Sequence, residues 1–260
     1  MTRNRHAYVC ALIVVLSVLF VLPSLAWAGG SGGAGMGGSG SPSSTTTGSG
    51  STPSAASSGP VSASADGITL NTSAATILRN GLNFSGTTSG AAGKTIEIER
   101  LGHQTGWQWA PTVSTTVATD GSFNVTWHTD HIGRFAIRAL ITQAGSASSA
   151  SAAPTLTITV YRSSLATLYG PGFYGHRTAC GQHLSRSMVG VASPTLRCGT
   201  KVAILYGGRT MVVPVIDRGP YANNADWDLT MATGKALGVT GTSKIGAVSL
   251  PQAPATAPAF

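Results

Sequence analysis

Charge is scarce in this chain. Asp, Glu, Lys and Arg make up 9% of its 260 residues, and nowhere do Lys and Arg cluster with interleaved aromatic side chains. That pattern points away from a nucleic-acid partner, which needs a dense basic footprint. Cysteine is nearly absent as well. Cys10 lies in the N-terminal apolar run, which leaves Cys180 and Cys198. His176 and His183 stand close to Cys180, but the paired ligand clusters of a zinc site are missing, so no metal and no other cofactor is expected. After residue 28 there is no long apolar run. Spanning a bilayer takes ~20 apolar residues, so no integral membrane segment is expected once the N-terminus is removed.

What is present starts with that N-terminus. Arg3 and Arg5 precede an apolar run from Ala7 to about Leu25 that ends on Ala26-Trp27-Ala28. This is the pattern of a secretory signal peptide, residues 1–28, cleaved after Ala28; a retained anchor is the alternative. Removing Arg3 and Arg5 lowers the formal charge from +8 to +6, a basic tilt suited to an anionic extracellular polymer. In an exported chain, Cys180 and Cys198 are most simply one disulfide. Residues 29–60 are almost wholly Gly, Ser, Thr, Pro and Ala, and such a segment cannot repay the entropy of folding, so it reads as a disordered linker.

Between residues 61 and 161, short alternating runs are divided by Gly, Asn and Asp turns. Strands are expected at Ile68 to Leu70, Leu82 to Gly86, Thr95 to Arg100, Gly121 to Trp127, Arg134 to Ile141 and Thr155 to Tyr161. About a hundred residues of this kind predict an antiparallel β-sandwich. Trp107 and Trp109, two apart, would share one strand face, as a sugar-stacking platform or as core aromatics.

From 163 to 250 the signals sharpen. Lys201 to Tyr206 and Thr210 to Ile216 read as strands joined by Gly207-Gly208, a hairpin turn open to positive φ. Thr230 to Leu237 reads as a short helix with Thr230 as N-cap and Gly238 beyond its end. Asp217 closes the apolar run Val212 to Ile216 just before Arg218-Gly219-Pro220-Tyr221. A carboxylate there has a rigid base and an open side, fit for acid–base chemistry or sugar binding; backbone capping of the turn is the plainer role. Residues 251–260 carry no pattern and read as a disordered tail.

Several blocks then align in order: Ala166 to Gly175, Thr178-Ala179-Cys180-Gly181, Thr195 to Thr200, Asp217 to Tyr221, and Asp228-Leu229-Thr230. Together they resemble the rare-lipoprotein-A-like double-psi β-barrel family, of the expansin and barwin superfamily. The stretch from Asp120-Gly121 to Arg138 resembles bacterial immunoglobulin-like modules. The fold so implied is all-β: an immunoglobulin-like sandwich over 61–161, then a six-stranded double-psi barrel with one short helix over 163–250.

The resemblance implies a secreted, cell-wall-associated protein that binds or remodels peptidoglycan or another wall polysaccharide. Asp217 and Asp228 match the family's acidic pair, although Asp228 can equally serve the helix N-terminus. Tyr169, Tyr174, Gln182, Ser193, Arg218 and Tyr221 would line the groove, the tyrosines as stacking rings or as packing. In the family's lytic transglycosylases one acid/base suffices, because the attacking hydroxyl belongs to the substrate; Asp217 would take that part. This chain carries Gln182 and Ser193 where cleaving members place Glu and His, and neither can supply a proton as those do. That departure favours binding or loosening over cleavage. Endoglucanase-like hydrolysis by the two carboxylates ranks third.

Overall fold

The computed structural model describes residues 54–143, 146–147 and 152–257. The expected signal peptide and most of the expected linker lie outside the described residues, as does the end of the tail.

The chain opens with β1 (Ala56–Ser57), β2 (Pro60–Ala65), β3 (Ile68–Ser73), β4 (Ala75–Ile77), β5 (Gly81–Thr88) and β6 (Thr95–Leu101). There follow β7 (Ala110–Thr116), β8 (Ser122–His128), β9 (Gly133–Gln143), β10 (Ser146–Ala147) and the long β11 (Thr155–Leu168). The C-terminal part holds β12 (Val191–Ala192), β13 (Lys201–Tyr206), β14 (Arg209–Asp217), β15 (Trp227–Leu229), α1 (Met231–Leu237) and β16 (Ser243–Leu250).

One sheet has the order β2-β3-β5-β8; facing it are β7, β6, β9 and the first half of β11, with β4 on the edge of β11. Alternation decides which side chains turn inward: Ile68 and Leu70, Leu82 and Phe84, Ile96 and Ile98, and Phe135 and Ile137 meet in one core drawn from both sheets. At ~25 cal/mol per Å² of apolar surface this burial is the main stabilising term of the half. The predicted sandwich is there, although β2, β4 and β7 were not foreseen. Trp107 and Trp109 do not share a strand face. Trp107 follows a short 3-10 turn (His103–Thr105) with φ at 61°, and Trp109 lies under the Arg138 guanidinium, 4.2 Å from its ring centre.

In the second half six strands close on themselves in the order β11-β15-β12-β14-β13-β16 and back to β11. The pairs β11/β15 and β12/β14 are parallel and the others antiparallel. The β13/β14 hairpin turns at Gly207 and Gly208, with φ of 55° and 75°. Thr230 caps α1, accepting the Thr233 N–H, and Gly238 ends it in the left-handed region. The expected Cys180–Cys198 disulfide is formed.

Two features depart from the expected domain limits. β11 runs unbroken through the boundary, pairing with β9 up to Val160 and with β16 from Arg162. Within the expected linker, Ala56–Ser57 is ordered because it adds to the edge of β14, with Ala56 opposite Thr210. Among the described residues no helix is long and apolar enough to cross a membrane.

The disulfide closes the loop between residues 180 and 198. On the loop-entropy account, Cys180→Ser with Cys198→Ser should cost about 3 kcal/mol of unfolding free energy. Paired urea titrations check this, and an unchanged midpoint would refute it.

Candidate functional site

Asp217 is the last residue of β14, and β12 lies between β14 and β15. Ala192 pairs with Asp217 on one side and Asp228 on the other, so the two carboxylates flank one alanine on neighbouring strands. Strand spacing puts their backbones about 10 Å apart.

Their environments differ. Asp217 accepts hydrogen bonds from the Tyr169 hydroxyl at 3.0 Å, the Ala179 N–H at 2.7 Å and the Arg218 N–H at 2.8 Å. Asp228 accepts one side-chain bond, from the Thr167 hydroxyl at 3.0 Å. Burial pushes the Asp228 carboxyl above the ordinary carboxylate range; the Thr167 bond opposes the rise and the Asp217 charge adds to it. The Tyr169 phenol is pushed up chiefly by burial, then by the charge and hydrogen bond of Asp217 and by the Asp228 charge, so it stays a donor. Two carboxylates held apart in this way can divide the roles of fixed acceptor and proton carrier.

The predicted residues fare differently. Tyr169 is 6% exposed and underlies Asp217, so it positions the carboxylate and offers no stacking face. Tyr174 is half-buried against Leu184, Ala192 and Ile216, with the Arg186 guanidinium 4.7 Å from its ring centre. Tyr221 is 81% exposed and free to meet a ligand. Arg218 gives its backbone N–H to Asp217, while its Nη1 is buried without a hydrogen-bond partner among the described residues. Gln182 is exposed. Ser193 is buried, its Oγ accepting the Leu196 N–H and its own N–H bonding the Asp217 carbonyl. The sequence reading missed Thr167, the Ala179 N–H and Phe173, which is 57% exposed and edge-on to Tyr169 at 6.0 Å. Phe173 was legible as an aromatic between glycines; Ala179 acts through its backbone and leaves no side-chain signal. Among the described residues no group of three or more His, Cys, Asp and Glu gathers as for a metal.

The raised Asp228 value means that the folded protein holds this proton more tightly than the unfolded chain. The stability so gained is full below the ordinary value of 3.8 and is lost as pH rises through the folded value. Asp228→Asn keeps an acceptor for Thr167 and removes the buried charge. It should melt at a higher temperature than the wild type at pH 7, with the gap closing at pH 3; a lower melting temperature at pH 7 would contradict this.

A closed six-stranded barrel with two parallel pairings, a short helix before its last strand and two acidic residues on the strands either side of β12 is a double-psi β-barrel. Residues 162–250 match the family described as "Lytic transglycolase". The barrel belongs to the RlpA-like double-psi β-barrel family. The probable endolytic peptidoglycan transglycosylase RlpA of Synechocystis sp. is 36% identical over 96 residues, 36% of this chain and 30% of that protein. The endolytic peptidoglycan transglycosylase RlpA of Campylobacter jejuni is 40% identical over 68 residues, 25% of each chain. The probable RlpA of Aquifex aeolicus is 37% identical over 76 residues, 28% of this chain and 34% of that one. The chain thus spans about a third or less of the length of these relatives. Among solved structures, the BSP domain of a biofilm associated protein aligns over 76% of this chain and 30% of its own, at 9% identity and a TM-score of 0.23, which supports no inference.

Proposed function

We propose that this chain is an exported cell-wall protein whose barrel binds and remodels peptidoglycan, or a glycan built like it, over the Asp217–Asp228 pair. The observation that carries the reading is the pair itself, two carboxylates in register across Ala192, with the exposed Phe173 edge-on to the Tyr169 ring that bonds Asp217. Asp217, fixed by three donors, keeps acceptor capacity for a sugar hydroxyl, and Tyr221 and Phe173 offer apolar faces for sugar rings. The relatives named as peptidoglycan transglycosylases support the choice of polymer.

A second reading, cleavage as a lytic transglycosylase, is favoured by the raised Asp228. A carboxyl that holds its proton can deliver it to the leaving glycosidic oxygen. The sugar's own 6-hydroxyl then attacks the anomeric carbon, forms an anhydro ring and returns its proton to the carboxylate. Against that reading, Gln182 does not titrate and the Ser193 hydroxyl is buried.

The test is co-sedimentation with purified sacculi, followed by mass spectrometry of the supernatant. Sedimentation with no soluble fragments is expected for a binding module. Anhydro-ended fragments would establish the second reading, and absence of sedimentation would overturn the proposal.

A further inference from the structure

The segment from Tyr174 to Leu184 is a hairpin that closes on itself. The Gly175 N–H bonds the Leu184 carbonyl at 2.9 Å, the Leu184 N–H bonds the His176 carbonyl at 2.9 Å, and the Thr178 N–H bonds the Gln182 carbonyl at 2.7 Å. At the tip Gly181 turns the chain with a φ of 88°, and the Arg177 guanidinium donates to the Gly181 carbonyl at 3.0 Å. The base is fastened by packing, with Tyr174 and Leu184 against Ala192 and Ile216 of the barrel.

The tip is attached in another way. Ala179 is exposed, and among the described residues its N–H bonds only Asp217, meeting Oδ1 at 2.7 Å, the shortest of the three bonds to that carboxylate. The next residue, Cys180, is joined to Cys198. Cys198 stands in a turn tied to β14, where the Gly199 N–H bonds the Val215 carbonyl at 2.8 Å and the Val215 N–H bonds the Thr200 carbonyl at 2.9 Å. Cys180 Sγ itself lies 3.9 Å from the Val215 carbonyl oxygen. The covalent link thus fixes the hairpin tip beside Val215, and Asp217 follows two residues later on the same strand.

A single exposed hydrogen bond holds a loop tip weakly, because water competes for both partners. A cross-link one residue away keeps the donor in place before any ligand arrives, so no ordering cost falls on binding. Oδ1 of Asp217 is shared by the Ala179 and Arg218 N–H groups, and Oδ2 takes the Tyr169 hydroxyl. With Ala179 withdrawn, Oδ1 would keep only the donor from the residue next to it in the chain. We infer that the Cys180–Cys198 disulfide is a positioning device for the candidate site: it pins the hairpin tip so that the Ala179 N–H stays on Asp217 and sets the direction of the carboxylate toward a glycan hydroxyl. The inference rests on the reading of the barrel as a glycan binder, and it gives the disulfide a part in affinity besides its part in stability.

Nuclear magnetic resonance of the whole chain, paired with co-sedimentation on purified sacculi, tests this. In the oxidised wild type the Ala179 amide proton, on a short bond to a carboxylate, should resonate well downfield of other exposed loop amides, and Asp217→Asn should move it upfield. Cys180→Ser with Cys198→Ser should move it upfield too, while the amides of Val202 and Ile204 in the barrel core keep their shifts. The same double variant should bind sacculi roughly tenfold more weakly. A disulfide that only stabilises would lower the unfolding midpoint and leave both the Ala179 shift and the affinity unchanged, and that result would overturn the inference while leaving the barrel reading intact. An Ala179 amide at an ordinary loop shift in the oxidised wild type would overturn it as well, whether or not the double variant folds. A wild type that does not sediment would overturn the barrel reading and the inference with it.

Discussion

Tyr161→Ala should destabilise the protein by about 3–5 kcal/mol, the cost of deleting a large buried ring. Tyr161 is 2% exposed and sits in β11 where that strand leaves β9 and joins β16. It packs with Ala203 and Val248 of the barrel, and with Ala75, Ile77 and Ile132 from the other half. Gly246 packs against the base of the same side chain: a β-carbon there would lie 2.9 Å from the Tyr161 β-carbon. Because this cluster joins the two cores, its loss should also split one unfolding transition into two. Urea titration followed by tryptophan fluorescence measures both effects. A cost below about 1 kcal/mol with a single transition retained would show that the junction contributes little.

The largest functional effect is expected at Asp217. Asp217→Asn should weaken binding to sacculi by roughly 10- to 150-fold, the value of one charge-assisted hydrogen bond of about 1.5–3 kcal/mol. The exchange is gentle on the fold: the amide oxygen still accepts from the Ala179 and Arg218 N–H groups, and the Tyr169 hydroxyl can rotate to accept from the new NH₂. Melting temperature should therefore change little. Unaltered binding would remove Asp217 from the site. Asp217→Ala is less informative, since it leaves three donors without their acceptor.

Local signals were legible where the chain decides locally. The double-glycine hairpin, the Thr230 and Gly238 ends of α1, and the alternating β6, β8 and β9 all follow from side-chain period and turn chemistry. Strands that exist only through distant pairing were not legible. β12 has two residues and β15 three, too few to show a period, yet they hold Ala192 and Asp228 in place. β11 beyond Tyr161 reads as a polar connector, and its strand character comes from β16 and β15. Asp217 was legible from its position at a strand end before a Gly-Pro corner. Tyr169 was visible, but its role was not, because only the fold turns its hydroxyl onto Asp217. Ser193 likewise showed its place in the pattern but not its bond: it is 3% exposed and its hydroxyl accepts the Leu196 N–H.

The attachment of Ala56–Ser57 to β14 also determines how the molecule bears load. Tension along the chain from residues before Ser54 enters at the barrel's edge, through the Ser58 N–H on the Gly208 carbonyl and the Thr210 hydroxyl on the Ala56 carbonyl. Peeling that strand, two residues long, leaves both cores closed. A pull applied at Ser54 should therefore detach β1 before either core opens.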